Sequence, residues 1–225
     1  MVVVDEEADY QQWLDAQPTY AEVLARVPGD ATQGLAQYAV CAACHGTQGE
    51  GIVAMNGPKL AGQEAWYLRR QIEYFKSGAR GAHEDDEFGK QMAPMAATLV
   101  DYAAIENVVA YIQTLPDTPS VATVQGDVAA GEDIYVTCGV CRGWEGEGRP
   151  AVNAPRQAGM SDWYMVTQLK NFRDGVRGAH SQDKYGMQMA MMASILQSDE
   201  RVNDVVAYIN TLSGPEPELN VATRE

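Results

Sequence analysis

The residues with the most specific chemistry are Cys41, Cys44 and His45, which stand in the spacing C-x-x-C-H. Two intervening residues give about one helical turn, so both sulfurs can reach the two vinyl groups at one edge of a haem. The next residue then offers its imidazole to the iron as proximal ligand. A thioredoxin-like redox pair would not need the His, and half of a zinc site would need a second complete ligand pair. The motif therefore predicts covalent attachment of haem c.

The chain repeats itself at an offset of 97 residues. Residues 41–115 align with residues 138–212 without a gap, and 35 of the 75 positions are identical. The aligned pairs include Cys41 with Cys138, Cys44 with Cys141, Pro58 with Pro155, Trp66 with Trp163, His83 with His180, Met92 with Met189 and Tyr111 with Tyr208. A match of this kind indicates a duplicated domain. We expect an N-terminal extension (1–28), domain one (29–115), a linker (116–125), domain two (126–213) and a C-terminal tail (214–225).

A haem iron with a proximal His needs a second ligand on its distal face. Met92 is the candidate in domain one and Met189 in domain two, because a thioether is a soft ligand that raises the haem potential relative to a second His. Met95 competes with Met92, being three residues further on and equally soft. We place Met92 in a loop that crosses the distal face before the last helix.

Other repeated residues suit the walls of a haem site. Pro58 and Pro155 can each present a backbone carbonyl to the Nδ1–H of a proximal imidazole, which fixes the ring. Trp66, with its copy Trp163, is a candidate donor to haem propionates. Tyr67 and Arg80 are candidates for the same role. His83 and His180 could be ligands, but the methionines are better placed, and a local hydrogen-bonding role in an exposed loop is favoured.

The second motif departs from the first, because domain two reads Cys138-Gly139-Val140-Cys141-Arg142. A guanidinium stays protonated and has no lone pair to give iron, so Arg142 cannot be a proximal ligand. Haem could still be attached through both cysteines, with Met189 on one face and water, His180 or nothing on the other. The domain could instead be haem-free, or a ligand could come from elsewhere in an assembly. The survival of the other pocket residues favours a second, atypically ligated haem.

The fold class expected from the pattern is all-α, since no stretch shows sustained strand alternation. Each unit is assigned three helices joined by long loops around a porphyrin: residues 30–41, 63–75 and 101–115, and their copies 127–138, 161–172 and 198–212. Asp30 and Asp127 suit the N-caps of the first pair. A further short helix is expected at residues 21–26, with Thr19 as its N-cap.

The formal net charge is −15, which disfavours nucleic acid or an anionic membrane surface as partner. It would steer the chain toward a basic docking surface, or, for most of these charges, it serves only to keep the chain in solution. No apolar run approaches the roughly 20 residues that span a bilayer. Because haem is attached to C-x-x-C-H on the export side in bacteria, we expect a leader that is absent from this chain and a periplasmic location.

The combined motifs resemble those of the two-domain dihaem class I cytochromes c of bacterial periplasms. The likeness rests on residues 41–46, 58–63 and 92–99, on Tyr111, and on their copies 97 residues later, and it covers about residues 29–213. It implies two all-α domains related by a pseudo-twofold, with haems facing each other. It also implies one-electron transfer to a terminal oxidase or from a dehydrogenase. Arg142 is the departure from the pattern.

An electron carrier is therefore the leading functional hypothesis, because a His45/Met92 pair fills both axial positions and leaves no open site for substrate. Two alternatives are an enzyme or ligand sensor at an open iron in domain two, and a monohaem docking subunit of a respiratory complex. The sequence offers no further acid–base constellation for the first of these.

Overall fold

The computed structural model describes residues 7–8, 10–11 and 29–214, and the described domains are built from helices and turns with two isolated β-bridges. Domain one contains α1 (Ala31–Tyr38), α2 (Ala42–His45), α3 (Ala65–Ser77), α4 (Glu87–Ala97) and α5 (Tyr102–Ile112), with a 3₁₀ turn at Val53–Met55. Domain two contains α6 (Val128–Arg142), α7 (Asp162–Arg173), α8 (Lys184–Ala193) and α9 (Asp199–Ile209), with a 3₁₀ turn at Pro150–Val152. The expectation of two tandem all-α units is confirmed.

Each unit holds one more long helix than expected. The loop assigned to Met92 is wrong, because Met92 lies within α4, and Met189 lies within α8. The Asp86 carboxylate accepts a hydrogen bond from the Gly89 N–H (3.0 Å) and caps α4. Pro94 lies inside this helix, although a proline usually marks the end of a helix or a kink in it.

The helix that carries the attachment motif differs between the domains. In domain one the chain turns after α1 and restarts as the short α2, so the predicted continuous helix from Asp30 into Cys41 is interrupted. In domain two, α6 runs without a break through both cysteines to Arg142. Asp30 and Asp127 cap these helices as expected, each accepting hydrogen bonds from two backbone N–H groups.

The core of each domain forms where the first helix packs against the last, α1 on α5 and α6 on α9. Gly34 allows the first of these contacts, because a Cβ built there would lie 2.0 Å from the Asn107 carbonyl oxygen; Gly131 stands in the same relation to Asp204. Tyr38 is buried beside α5 and donates to the Gly46 carbonyl (2.8 Å). The packing therefore fixes the turn that follows the attachment motif.

The two domains meet across a reciprocal hydrogen-bond network. Arg80 donates to Gln71 of its own domain (2.8 Å) and to Gln168 of the other (2.8 Å). Arg177 donates to Gln168 (2.7 Å) and to Gln71 (2.7 Å). Arg80 and Arg177 are related by the 97-residue offset, as are Gln71 and Gln168, so these contacts have the pseudo-twofold symmetry that the resemblance implies.

The linker is held by a carboxylate that domain one lacks, since Asp162 aligns with Ala65. Asp162 is 1% exposed and accepts from the Val124 N–H (2.7 Å), the Thr123 hydroxyl (2.9 Å) and the Asn210 amide (3.0 Å). Burial alone would raise the pKa of Asp162, but these donors outweigh it and lower the pKa.

Within the described residues, no helix by itself is long and apolar enough to cross a membrane; α4 and α5 reach that length and hydropathy only when taken together, and they are bent by 112°. The helix expected at residues 21–26 lies outside the described residues.

Replacing Gly34 with Ala is expected to lower the free energy of unfolding by about 1–3 kcal/mol, because the new methyl group would overpack α1 against α5. Thermal unfolding monitored by circular dichroism measures the change. Leu35→Ala is the control, since Leu35 is 54% exposed on the same helix and should change stability by about 0.5 kcal/mol or less. Equal effects of both variants would contradict the packing argument.

Replacing Asp162 with Asn is expected to cost about 2 kcal/mol at neutral pH, because hydrogen bonds to a charged acceptor are lost. The contribution of the carboxylate is complete above its unfolded pKa of about 3.9 and is lost as the pH falls through the lower folded value. Denaturant unfolding from pH 7 down to pH 2 should therefore show the parent approaching the variant at acid pH. The exposed Asp133→Asn serves as control, and a constant difference at all pH values would refute the role of the charge.

Candidate haem site

Domain one encloses a cavity of about 170 Å³ that brings together Cys41, Cys44, His45, Pro58 and Met92. The rest of its lining is largely apolar and includes Leu68, Ile72, Phe75, Leu99, Val108 and Ile112. Two thiols, an imidazole and a thioether on one apolar cavity form the donor set of a c-type haem site.

His45 is 8% exposed, and its Nδ1 lies 2.7 Å from the Pro58 carbonyl oxygen. A carbonyl only accepts, so Nδ1 carries the proton and Nε2 keeps its lone pair. Burial lowers the pKa of His45 although the Pro58 carbonyl opposes the shift, which favours the neutral imidazole at neutral pH. The ring is thus oriented and protonated as an iron ligand requires.

The two cysteines are positioned by the first turn of α2. The Cys41 carbonyl accepts from the N–H groups of Cys44 (3.1 Å) and His45 (2.9 Å), so the three motif residues share one helical turn. Burial raises the pKa of the Cys41 thiol. The C-x-x-C-H motif therefore forms the single helical turn that its spacing predicts.

Met92 and Met95 both line the domain-one cavity from α4. Met92 is half-buried against the core, whereas Met95 is 37% exposed. The more enclosed position of Met92 supports it as the distal ligand, and that assignment stays a prediction.

Of the predicted propionate donors in domain one, two line the cavity and Trp66 does not. Tyr67 and Arg80 line the cavity. The Trp66 ring lies 4.8 Å from the Arg70 guanidinium, and its Nε1 is buried with no hydrogen-bond partner among the described residues. Trp163 packs edge-on against Tyr164. An unpaired buried indole N–H is what an acidic cofactor group would satisfy, which keeps the role of Trp66 as a proposal.

The phenol of Tyr67 lies among cations at the domain interface. Burial opposes its ionisation, but the guanidinium groups of Arg177 and Arg80 outweigh burial and lower the pKa of Tyr67. The structure thus adds Arg177 and Tyr164, the copies of Arg80 and Tyr67, to the residues named from sequence; the offset of 97 would have identified both.

His83 and His180 are exposed, and each Nδ1 accepts a hydrogen bond from a backbone N–H two residues further on. This is the local role that the sequence favoured. His180 lines neither of the two cavities that adjoin Arg142.

The domain-two site is arranged differently. The Arg142 Nη1 donates to the Pro155 carbonyl (2.7 Å), and its Nη2 contacts the Met189 Sδ (3.2 Å). Two cavities of about 90 and 40 Å³ flank this bridge. Cys138 and Cys141 line the smaller one.

The residues of domain one fit haem c, since one largely apolar cavity holds two attachment cysteines and a candidate for each axial position. In domain two the attachment cysteines and Met189 fit, but the proximal position does not, because a guanidinium has no lone pair for iron.

Comparison with known proteins agrees with this reading. The family model "Cytochrome c" matches residues 31–116 and 128–213. Cytochrome c4 of Azotobacter vinelandii is 33% identical over 201 residues, covering 84% of this chain and 92% of that protein. A thiosulfate dehydrogenase electron acceptor of Stutzerimonas stutzeri (strain A1501) is 33% identical over 190 residues, covering 79% and 82%. The crystal structure of reduced recombinant cytochrome c4 from Pseudomonas stutzeri is 28% identical, with a TM-score of 0.63, and the match covers 82% of this chain and 99% of that chain.

Fold, site and relatives together define a c-type cytochrome with two tandem domains. The chain belongs to the cytochrome c family, within its dihaem class, and it is an electron-transfer protein whose cofactor is haem c.

Replacing Met92 with Ala should shift the domain-one haem toward high spin and lower its reduction potential, because a soft axial ligand is lost. Electron paramagnetic resonance and a redox titration of the full chain measure both effects. Met95→Ala, three residues further along the same helix, is the matched control and should leave the low-spin signal intact. The reverse pattern would make Met95 the ligand.

Proposed function

We propose that the chain is an exported, periplasmic carrier that passes single electrons between protein partners. Haem c supplies the reversible Fe(II)/Fe(III) couple. In domain one, Cys41 and Cys44 attach it, and His45 and Met92 bind the iron. The observation that carries this proposal is the shared cavity of these residues, in which Pro58 holds the His45 ring with its Nε2 free for metal.

The chain's own residues keep that site closed to substrate. His45 and Met92 would hold the iron of a bound haem, which would leave no position for a substrate and would let an electron be exchanged with little rearrangement. Pro58 orients the proximal ring, and Trp66, Tyr67 and Arg80 are proposed to neutralise and bind the propionates. In domain two, Cys138 and Cys141 are proposed to attach a second haem, with Pro155 and Trp163 in the places of Pro58 and Trp66. Met189, the ligand that the sequence predicts there, contacts Arg142.

The mouth of the domain-one cavity offers a docking surface for a redox partner. Val40, Met55, Phe88 and Met95 line the cavity and are each between 37% and 49% exposed. Apolar side chains of this kind around a cofactor edge allow close approach of two proteins without strong binding.

The charge of the chain indicates the kind of partner. A net charge of −15 supports association with a basic docking surface. A dehydrogenase is a candidate donor, because one relative carries the name thiosulfate dehydrogenase electron acceptor; a terminal oxidase is a candidate acceptor. The comparisons do not support an enzyme, a ligand sensor or a monohaem docking subunit, and we propose that neither domain catalyses a reaction of its own.

The first test is haem per polypeptide by intact mass, on full-length protein from a host with complete maturation machinery, followed by reversible reduction and oxidation in the visible spectrum. Covalent haem that cycles without binding carbon monoxide at domain one supports the carrier. A chain without covalent haem at Cys41 and Cys44 would refute it.

Electron transfer from the reduced chain to a basic redox protein should slow strongly as salt rises, because screening weakens electrostatic steering. Stopped-flow rates between about 10 mM and 300 mM salt measure this. An acidic acceptor of similar potential is the control and should show the opposite or no dependence. Equal salt dependence for both acceptors would contradict docking to a basic surface.

A further inference from the structure

Arg142 makes two contacts that join opposite parts of domain two. Its Nη1 donates to the Pro155 carbonyl in the loop after α6, and its Nη2 contacts the Met189 sulfur in α8. His45 makes the first contact in domain one, with the equivalent carbonyl and at the same 2.7 Å distance. The guanidinium therefore donates to the carbonyl that orients a proximal histidine in domain one, and it also contacts the sulfur that the sequence predicts as a ligand of the second iron.

This bridge divides the space of the site. In domain one, a single cavity of about 170 Å³ is lined by both cysteines, His45, Pro58 and Met92. Arg142 and Met189 line both of two smaller cavities. Pro155 lines the larger one, which residues of domain one such as Tyr67 also line, and the cysteines line the smaller one. The Arg142–Met189 contact thus lies between the attachment cysteines and the proximal carbonyl.

A second difference between the domains accompanies the arginine in place of histidine. Gln157 lines both cavities of domain two, and its counterpart in domain one is Leu60, which lines the single cavity there. The Gln157 Oε1 is buried and has no hydrogen-bond partner among the described residues. A polar amide thus replaces an apolar wall residue on the two cavities that Arg142 also lines.

We propose that Arg142 is a positioning residue that ties the Pro155 loop to α8 and holds the Met189 sulfur away from axial ligation. Domain two then lacks a His/Met pair, and the two domains are unequal partners in electron transfer. The inference about ligation rests on the proposed function, whereas the tie between loop and helix does not.

The ligation arm uses the full-length chain, matured with complete machinery, as parent and as Arg142→His. Intact mass counts attached haems, and electron paramagnetic resonance counts low-spin His/Met haems. We expect one low-spin His/Met signal in the parent and a twofold larger signal in R142H. A parent that already shows two such signals, or an R142H chain that still shows one, would overturn the proposal.

The structural arm measures amide hydrogen exchange by mass spectrometry in the same full-length chains. Arg142→Leu removes both contacts, so exchange in α8 and around Pro155 should become about tenfold faster. Met189→Leu should have a similar effect in α8, and the double variant should add little to either. Met191→Leu, 70% exposed on the same helix, is the control and should change nothing.

Unchanged exchange in R142L, or additive effects in the double variant, would refute the tie. If R142L does not yield folded protein, Arg142→Gln replaces it. A glutamine amide can donate to the Pro155 carbonyl but is too short to reach Met189 as well, so we expect faster amide exchange in α8 alone. Unchanged exchange in α8 would refute the tie. Loss of haem from Cys41 and Cys44 in the parent would instead refute the proposed function and leave the exchange result standing.

Discussion

One hydrogen bond organises each half of this protein: the bond from the residue after the second cysteine to a proline carbonyl 13 positions further along the chain. In domain one it fixes the ring and tautomer of His45 on Pro58; in domain two it holds Arg142 on Pro155. The tyrosine that closes the same turn, Tyr38 or Tyr135, is also shared. Because both domains share this hydrogen bond and this turn, the difference between their sites comes mainly from side chains, with Arg142 in the place of His45 and Gln157 in the place of Leu60.

The sequence predicted those features that depend on spacing. The C-x-x-C-H motif, the 97-residue offset and the capping aspartates were enough to identify the fold class, the duplication and the axial candidates. It did not predict α4 and α8. In α4, Gly89 and Pro94 resemble helix breakers, whereas the Asp86 cap and the burial of Ala96 stabilise the helix. In α8, Asp183 provides the equivalent cap. Nor did it show the contact of Arg142 with Met189, since spacing cannot tell that two side chains 47 residues apart meet across a cavity.

Two buried arginines, Arg80 and Arg177, lie at the interface between the domains. Arg80 and Arg177 are each 7% exposed, and their recorded hydrogen-bond partners are uncharged amides and phenols. Burying a guanidinium is costly unless its donors are used, and the Nε of each remains unpaired among the described residues. Acidic groups of a bound haem would supply the missing charge, and they would then couple the interface to the haem sites by electrostatics.

Duplication followed by divergence explains why such an arrangement can persist. In domain one, the iron of a bound haem would join His45 to Met92 across the cavity. In domain two, Arg142 itself joins the two corresponding sides, the Pro155 loop and α8. An arginine suits this task because its planar fork can serve two acceptors at once, which neither imidazole nor lysine does with the same geometry. With arginine in the place of histidine, domain two lacks the proximal ligand, but the Pro155 loop and α8 remain in contact through Arg142. Domain two can therefore stay folded against domain one.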